Sequence, residues 1–177
     1  MNGNGTVKPY SRKVILLDRD GVINRKPAEG DYVKKWEEFS FLPGTFEALK
    51  LLTENTYDIY IITNQRGIAL GRMDENTLNS IHEKMTNELK KHGARIKQIY
   101  YCPHGNDDNC DCRKPKPGML FRAAREHNFN LTKAIFIGDD MRDKQAGDAA
   151  DCPTIILEPR KDLLAIARSL LASGIEG

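Results

Sequence analysis

Lys13-Val-Ile-Leu-Leu-Asp18-Arg-Asp20-Gly-Val-Ile-Asn24 is the stretch whose reading decides the architecture. Its apolar half, Val14 to Leu17, is continuous rather than alternating, as in a strand covered on both faces, and it stops on two carboxylates and a glycine. The same shape recurs at Asp58-Ile-Tyr-Ile-Ile-Thr63 and at Lys133-Ala-Ile-Phe-Ile137 before Gly138-Asp139. Between these runs, Thr45 to Asn55 (with Phe46, Leu49 and Leu52) and Asp74 to His92 (with Leu78, Ile81, Met85 and Leu89) space their apolar residues as helices do. Gly93 is placed to close the second helix. Strands at Ile96 to Tyr101 and Thr154 to Leu157, with helices at Gly118 to His127, Asp143 to Ala150 and Lys161 to Ala172, complete the alternation. Strands and helices in alternation predict an α/β fold, a three-layer sandwich with a central parallel sheet.

Composition narrows the function classes. The chain has 177 residues, one domain's worth, with 27 basic and 25 acidic residues and a net charge of +2. That balance excludes a dedicated nucleic-acid binder, which would concentrate positive charge, but leaves phosphate-bearing small molecules open. The apolar runs are far too short to span a bilayer, so no membrane partner is expected. Residues 1–12 read as a flexible lead-in and 13–177 as a single domain. The first twelve residues lack the apolar stretch of a secretory signal, so a cytoplasmic location is expected. No amphipathic seam is left over, so the expected state is a monomer.

Chemistry-bearing residues gather where the strands end. Asp18 and Asp20 repel one another unless a cation compensates, which calls for a metal ion. Thr63-Asn64 follows the second strand, Lys114 lies in Arg-Lys-Pro-Lys-Pro-Gly, and Gly138-Asp139-Asp140 follows a later strand with Asp143 close behind. Ligands in open α/β sheets sit beyond the carboxyl ends of strands, where all of these fall. Cys102-Pro-His104, five residues, then Cys110-Asp-Cys112 supply three thiolates and an imidazole. That set predicts a closed tetrahedral Zn²⁺ site, structural because no position remains for water. Cys152 reads as a small buried apolar residue, and His82, His92 and His127 as helix packing or surface residues.

In this order the motifs resemble the haloacid dehalogenase superfamily of phosphohydrolases over about residues 13–157. The resemblance implies a Rossmann-like fold in which Asp18 attacks phosphorus and Asp20 serves as acid, then base. It further implies that Thr63 and Lys114 hold the phosphoryl oxygens, and that Mg²⁺ is bound by Asp18, the main-chain carbonyl of Asp20 and Asp139, with Asp143 supporting. An acid working near neutral pH should have a raised pKa in a sheltered site. The zinc loop running into Arg113-Lys-Pro-Lys-Pro-Gly-Met119, with Thr63-Asn-Gln-Arg-Gly-Ile-Ala69, is similar to the heptose-1,7-bisphosphate phosphatases and their histidinol-phosphate phosphatase relatives.

Too little chain separates the motifs for a separate cap domain. Specificity is therefore expected from Asn24 to Ser40, Arg66 to Met73 and the zinc-stabilised loop. Asn64, Gln65, Arg66, Arg113, Lys114 and Asp140 are the expected substrate-binding residues, with Tyr32 or Trp36 as a wall in a hairpin over the site. The implied function is Mg²⁺-dependent removal of the 7-phosphate from the heptose bisphosphate, a small phosphorylated sugar, in activated-heptose synthesis for lipopolysaccharide or surface glycan. The alternatives are a histidinol-phosphate phosphatase, a nucleic-acid 3′-phosphatase and a non-catalytic phosphate-binding module. Two positions depart from the family pattern: Asp140 stands where lysine is usual, and Arg66 where a small residue is usual.

Overall fold

The computed structural model describes residues 12–158 and 161–173. Five parallel strands, β1 (Lys13–Leu17), β2 (Tyr57–Asn64), β3 (Ile96–Cys102), β4 (Ala134–Gly138) and β5 (Thr154–Ile156), lie in the order β3-β2-β1-β4-β5. The helices are α1 (Thr45–Glu54), α2 (Glu75–Lys91), α3 (Gly118–His127), α4 (Met141–Ala149) and α5 (Leu163–Ala172). The α/β class and the parallel sheet are as the sequence predicts.

The period-two pleat divides the core into two halves. Ile15 and Leu17 of β1, with Ile59 and Ile61 of β2, face α1, α2 and α5 through Leu49, Ile81, Met85 and Ile166. Val14, Leu16, Tyr60, Ile62 and Phe136 face α3 and α4 through Leu120, Ala123 and Ala146. The central runs Val14–Leu17 and Ile59–Ile62 are thus buried at every position, which is why they do not alternate, whereas edge strand β3 exposes Lys97 and Gln98. Asp74 caps α2 by accepting from the Thr77 amide at 2.7 Å, and Gly93 follows its end at φ +84°, the left-handed conformation a helix stop favours.

Boundaries differ by a few residues for identifiable reasons. Helix α4 begins at Met141 rather than Asp143, because Asp140 and Asp143 form a reciprocal capping box that extends it upstream. Lys133 belongs to a 3-10 turn, Leu131–Lys133, so β4 starts one residue later than expected. The expected flexible lead-in falls mostly on residues 1–11, outside the described ones; Arg12 pairs with Asp58 at 3.4 Å. Between β1 and α1 the chain forms a 3-10 turn, Trp36–Glu38, and bridges only at Asp20 to Asn24 and Asn24 to Phe41. The expected hairpin is therefore reduced to a loop. The sheet order places β1 centrally, with the chain turning to opposite sides of it, so the crevice lies at the carboxyl end of β1.

Candidate active site

The chain leaves β1 in a tight turn that aims two carboxylates. The Arg19 carbonyl accepts from the amides of Val22, Ile23 and Asn24, and Gly21 adopts φ +93°. A side chain at Gly21 would collide with the Asp139 carboxylate, so glycine here serves both the backbone and the close approach of β1 and β4. Asp18, Asp139 and Asp143 bring their carboxylate oxygens within 4.8 Å of one another. Asp139 Oδ1 is buried without a hydrogen-bond partner. Asp143 Oδ2 accepts from the amides of Asp139 and Asp140, both at 3.1 Å, and so orients the turn that carries Asp139.

Lys114 reaches this floor from the loop before α3. Its ammonium, 3% exposed, lies 3.0 Å from Asp18 Oδ1 and 2.6 Å from Asp143 Oδ1, and donates to the Ile62 carbonyl at 3.0 Å. Asn64 fixes the loop by pairing with the Lys114 backbone in both directions, each bond 3.0 Å. Its amide is thereby engaged in holding Lys114. Burial drives the Asp18 pKa up to about 7, against the pull of Lys114 and with repulsion from Asp143 and Asp20. Burial opposes the charge on Lys114, but Asp18 and Asp143 outweigh it and hold the ammonium protonated.

Asp20 departs from expectation. It is sheltered, as an acid should be, but its pKa is lowered rather than raised. Burial pushes it up, yet the charge of Arg19 and hydrogen bonds from Asn24, Arg19 and Gln65 outweigh that and keep it ionised. Gln65 Nε2 donates to both Asp20 Oδ2, at 3.0 Å, and Thr63 Oγ1, at 2.9 Å, tying β2 to the turn. Thr63 is fully buried under this bridge.

A cleft of about 640 Å³ opens above, lined by Asp18, Asp20, Asn64, Gln65, Asp139 and Asp143 and rimmed by Lys26, Arg66, Arg113 and Arg142. Arg113 has neutral partners, Asn106 Oδ1 at 3.1 Å and the His104 carbonyl at 3.4 Å, while Arg66 Nε is buried without one. Burial, with repulsion from Arg142 and Arg66, lowers the Arg113 pKa although Cys102 opposes. Asp140 stands outside the carboxylate cluster: it caps α4, pairs with Arg142 at 2.9 Å and lies 3.4 Å from Lys26. Of the two aromatic candidates, Tyr32 lines the cleft, whereas Trp36 stacks on Phe39 at 5.0 Å and faces Lys84 and Lys91 elsewhere. Trp36 is therefore not the substrate wall expected; it packs into the aromatic cluster of Phe39 and Phe41.

Beside the Lys114 loop, Cys102, His104, Cys110 and Cys112 converge within 4.8 Å and can hold a metal ion. Its edges are 3.7 Å for Cys102 to Cys110, 3.2 Å for Cys102 to Cys112, 3.5 Å for Cys102 to His104 Nδ1 and 3.2 Å for Cys112 to His104 Nδ1. These sulfurs are too far apart for a disulfide. Arg113 and Lys114 follow Cys112 directly, so the cluster anchors the segment that delivers both cations. Cys152 is buried away from it, its thiol pushed up to about 12 by burial.

Three residues of this region escape a reading of motifs. Lys26 lies 2.7 Å from Asp139 and Arg142 meets Asp140, yet each sits in sequence among ordinary surface charges. Arg19 is the third, flanked by the two aspartates but 0% exposed. Its position between two carboxylates was the available signal.

A family model described as polynucleotide kinase 3 phosphatase matches residues 13–155. The D-glycero-beta-D-manno-heptose-1,7-bisphosphate 7-phosphatase of Pseudomonas aeruginosa is 37% identical over 160 residues, covering 90% of this chain and 89% of that one. The D-glycero-alpha-D-manno-heptose-1,7-bisphosphate 7-phosphatase of Campylobacter jejuni is 43% identical over 145 residues, covering 82% and 81%. The crystal structure of D,D-heptose 1,7-bisphosphate phosphatase from B. bronchiseptica, complexed with magnesium and phosphate, matches with a TM-score of 0.86 and 37% identity, covering 92% of this chain and 99% of that chain.

Proposed function

The chain belongs to the haloacid dehalogenase superfamily, in the phosphatase family of the heptose-1,7-bisphosphate 7-phosphatases, and from that membership we propose that it removes the 7-phosphate of D-glycero-D-manno-heptose 1,7-bisphosphate. The observation that carries this reading is one cleft with two regions: a floor of Asp18, Asp139 and Asp143 that could hold a metal ion beside Lys114, and a cationic rim of Arg66, Arg113 and Arg142. The floor suits the phosphoryl group that reacts. The rim suits the phosphate that stays, because a guanidinium fork matches phosphate oxygens in pairs. The same rim disfavours histidinol phosphate, whose leaving portion is cationic.

Hard oxygen donors, and a buried Asp139 Oδ1 with no partner, fit Mg²⁺ held by Asp18, Asp139 and Asp143 with the main-chain carbonyl of Asp20. When bound, the ion neutralises charge on the phosphoryl oxygens. The chain's own residues do the rest. Arg19 N–H and Lys114 both sit on Asp18 Oδ1, leaving Oδ2 to form the bond to phosphorus. As the bond from phosphorus to the sugar oxygen breaks, Asp20 gives that oxygen a proton. It then takes a proton from the water that attacks the aspartyl-phosphate and releases Asp18 and inorganic phosphate. Asp20 is ionised at rest, so the proton enters with the substrate: an anionic phosphate brought beside it raises its pKa. Lys114 serves the phosphoryl pocket directly; the phosphoryl contact expected of Thr63 is replaced by a buried one, its hydroxyl lying beneath the cleft and accepting from Gln65, which holds Asp20 in line.

The sulfur–nitrogen cluster fits Zn²⁺ as scaffold. A tetrahedron with Zn–S near 2.3 Å has sulfur–sulfur edges of about 3.8 Å; the Cys102–Cys110 edge of 3.7 Å matches this, and the Cys102–Cys112 edge of 3.2 Å would open slightly on binding. Its thiolates suit a reducing cytoplasm. Brief EDTA treatment is expected to abolish activity reversibly, with full recovery on Mg²⁺ alone, while elemental analysis still finds one zinc per chain. Because a proton competes for Asp18 with a pKa of about 7, the Mg²⁺ needed for half-activation should rise up to about tenfold per pH unit below that value. Metal titrations at pH 6 and pH 8 measure this.

Arg66→Ala is expected to raise KM for the bisphosphate about tenfold or more, the scale of one charge-assisted hydrogen bond, with a smaller change for the 7-monophosphate. The function itself is tested by Mg²⁺-dependent phosphate release from both heptose bisphosphate anomers, histidinol phosphate, fructose bisphosphate and a 3′-phosphorylated oligonucleotide. A heptose bisphosphate should give the highest kcat/KM. The oligonucleotide arm tests the activity in the name of the matching family model, and its winning would overturn the reading.

A further inference from the structure

His82 lies on α2, 6% exposed, and no step above uses it. Among the described residues the charged groups that act on it are Arg19 and Asp20, from the turn after β1, and the Tyr101 ring of β3 lies 5.9 Å from it. Arg19 is wholly buried and does not line the cleft, so its guanidinium is not a substrate ligand. Its hydrogen bonds show where it acts instead. Nε donates to Asp20 Oδ1 at 3.3 Å, Nη2 to Oδ1 and Oδ2 at 3.0 Å each, and Nη1 faces His82 Nε2 at 3.0 Å. A guanidinium has donors only, so Nε2 of His82 is the acceptor and the ring proton sits on Nδ1. The chain of contacts therefore runs from α2 through a planar, fully buried cation to the carboxyl group that serves the leaving oxygen.

We propose that His82 is a positioning residue: as a neutral acceptor on α2 it fixes the Arg19 fork, and the fork fixes the Asp20 carboxyl for proton transfer. This rests on the phosphatase reading of the site and adds a residue to it. Asn24 and Gln65 each give Asp20 one further bond, at 2.9 and 3.0 Å, but neither spans both oxygens. Only the guanidinium does, and its orientation depends on what Nη1 meets. Without His82, Nη1 would lie buried with no acceptor, and the fork would rotate to find one, carrying Asp20 off line. Displacements near 1 Å at a positioning group cost roughly a hundredfold in rate.

The test compares two phosphate esters. An alkyl ester such as the heptose bisphosphate needs a proton on its departing oxygen; an aryl phosphate such as p-nitrophenyl phosphate leaves as a stable phenolate and needs little help. With His82→Leu, kcat/KM for the sugar should fall about ten- to hundredfold, while that for the aryl ester falls less than about threefold. His82→Gln, whose side-chain oxygen can accept from Nη1, should recover most of the loss. Equal losses on both esters in a folded His82→Leu protein, or no recovery with glutamine, would reduce His82 to packing and overturn the proposal. If His82→Leu fails to fold, Arg19→Lys carries the same comparison, since lysine keeps the charge but not the fork, and an unchanged ratio of the two esters would again overturn it. A wild type that turned over neither ester would instead sink the phosphatase reading, and the tether with it.

Discussion

Asp18→Asn should lower kcat by at least about a thousandfold while leaving the fold intact. Asparagine matches aspartate in size, so the turn after β1 and the packing beneath it persist. What it lacks is an anionic oxygen to attack phosphorus. Lys114 keeps Asp143 as a counter-ion at 2.6 Å, so the substitution does not strand a buried charge. The physical cost of Asp18 in the metal-free chain supplies a second signature. Its folded pKa, about 7, lies above the ordinary carboxyl value, so the stability it contributes in its protonated form is present at low pH and lost as pH rises toward 7. Metal-free Asp18→Asn should therefore gain thermal stability relative to wild type as pH climbs from about 4 to about 7. Phosphate release and thermal melts across that range check both parts. Retention of more than about a tenth of the wild-type rate would remove Asp18 as nucleophile.

The second large effect concerns the metal scaffold. Cys112 is followed at once by Arg113 and Lys114, so the chain passes from the cluster to the rim and then to the floor within two residues. Cys112→Ser replaces a strong zinc ligand with a poor one and frees that backbone. Lys114 is also clamped by Asn64, so it should shift rather than depart. We expect kcat/KM to fall about a hundredfold, a lower melting temperature, and an unchanged Mg²⁺ requirement. If the cluster supplied the attacking hydroxide, its loss would shift the pH–rate profile and leave no trapped aspartyl-phosphate in the wild type. Kinetics of the two proteins across pH separate the cases.

What could be read from the chain followed how local its physical cause is. The continuous apolar runs Val14–Leu17 and Ile59–Ile62 announced doubly covered strands because burial on both faces removes alternation, and the helix spacings were equally direct. Asp18 and Asp139 were legible because each follows or ends a strand, Lys114 because it lies in the rigid Arg-Lys-Pro-Lys-Pro-Gly loop, and the cysteine cluster because it has ligand spacing. The capping box that moved the start of α4 was not, since Asp140 reads as a substrate contact and Asp143 as a metal carboxylate. The lowered pKa of Asp20 was hidden because its neighbour Arg19 reads as a surface charge until the fold buries it. His82 was hidden for the same reason: a lone histidine on a helical face gives no sign of the partner that a separate strand end brings to it.

The central claim is that phosphate leaves the sugar by way of Asp18. Rapid acid quench of the Mg²⁺- and zinc-loaded wild type during turnover of heptose 1,7-bisphosphate labelled at the 7-phosphate, followed by peptide mapping, measures it most directly. Label should appear on the peptide carrying Asp18 within the first turnover and decay as free phosphate accumulates; reproducible turnover with no label on that peptide would contradict it.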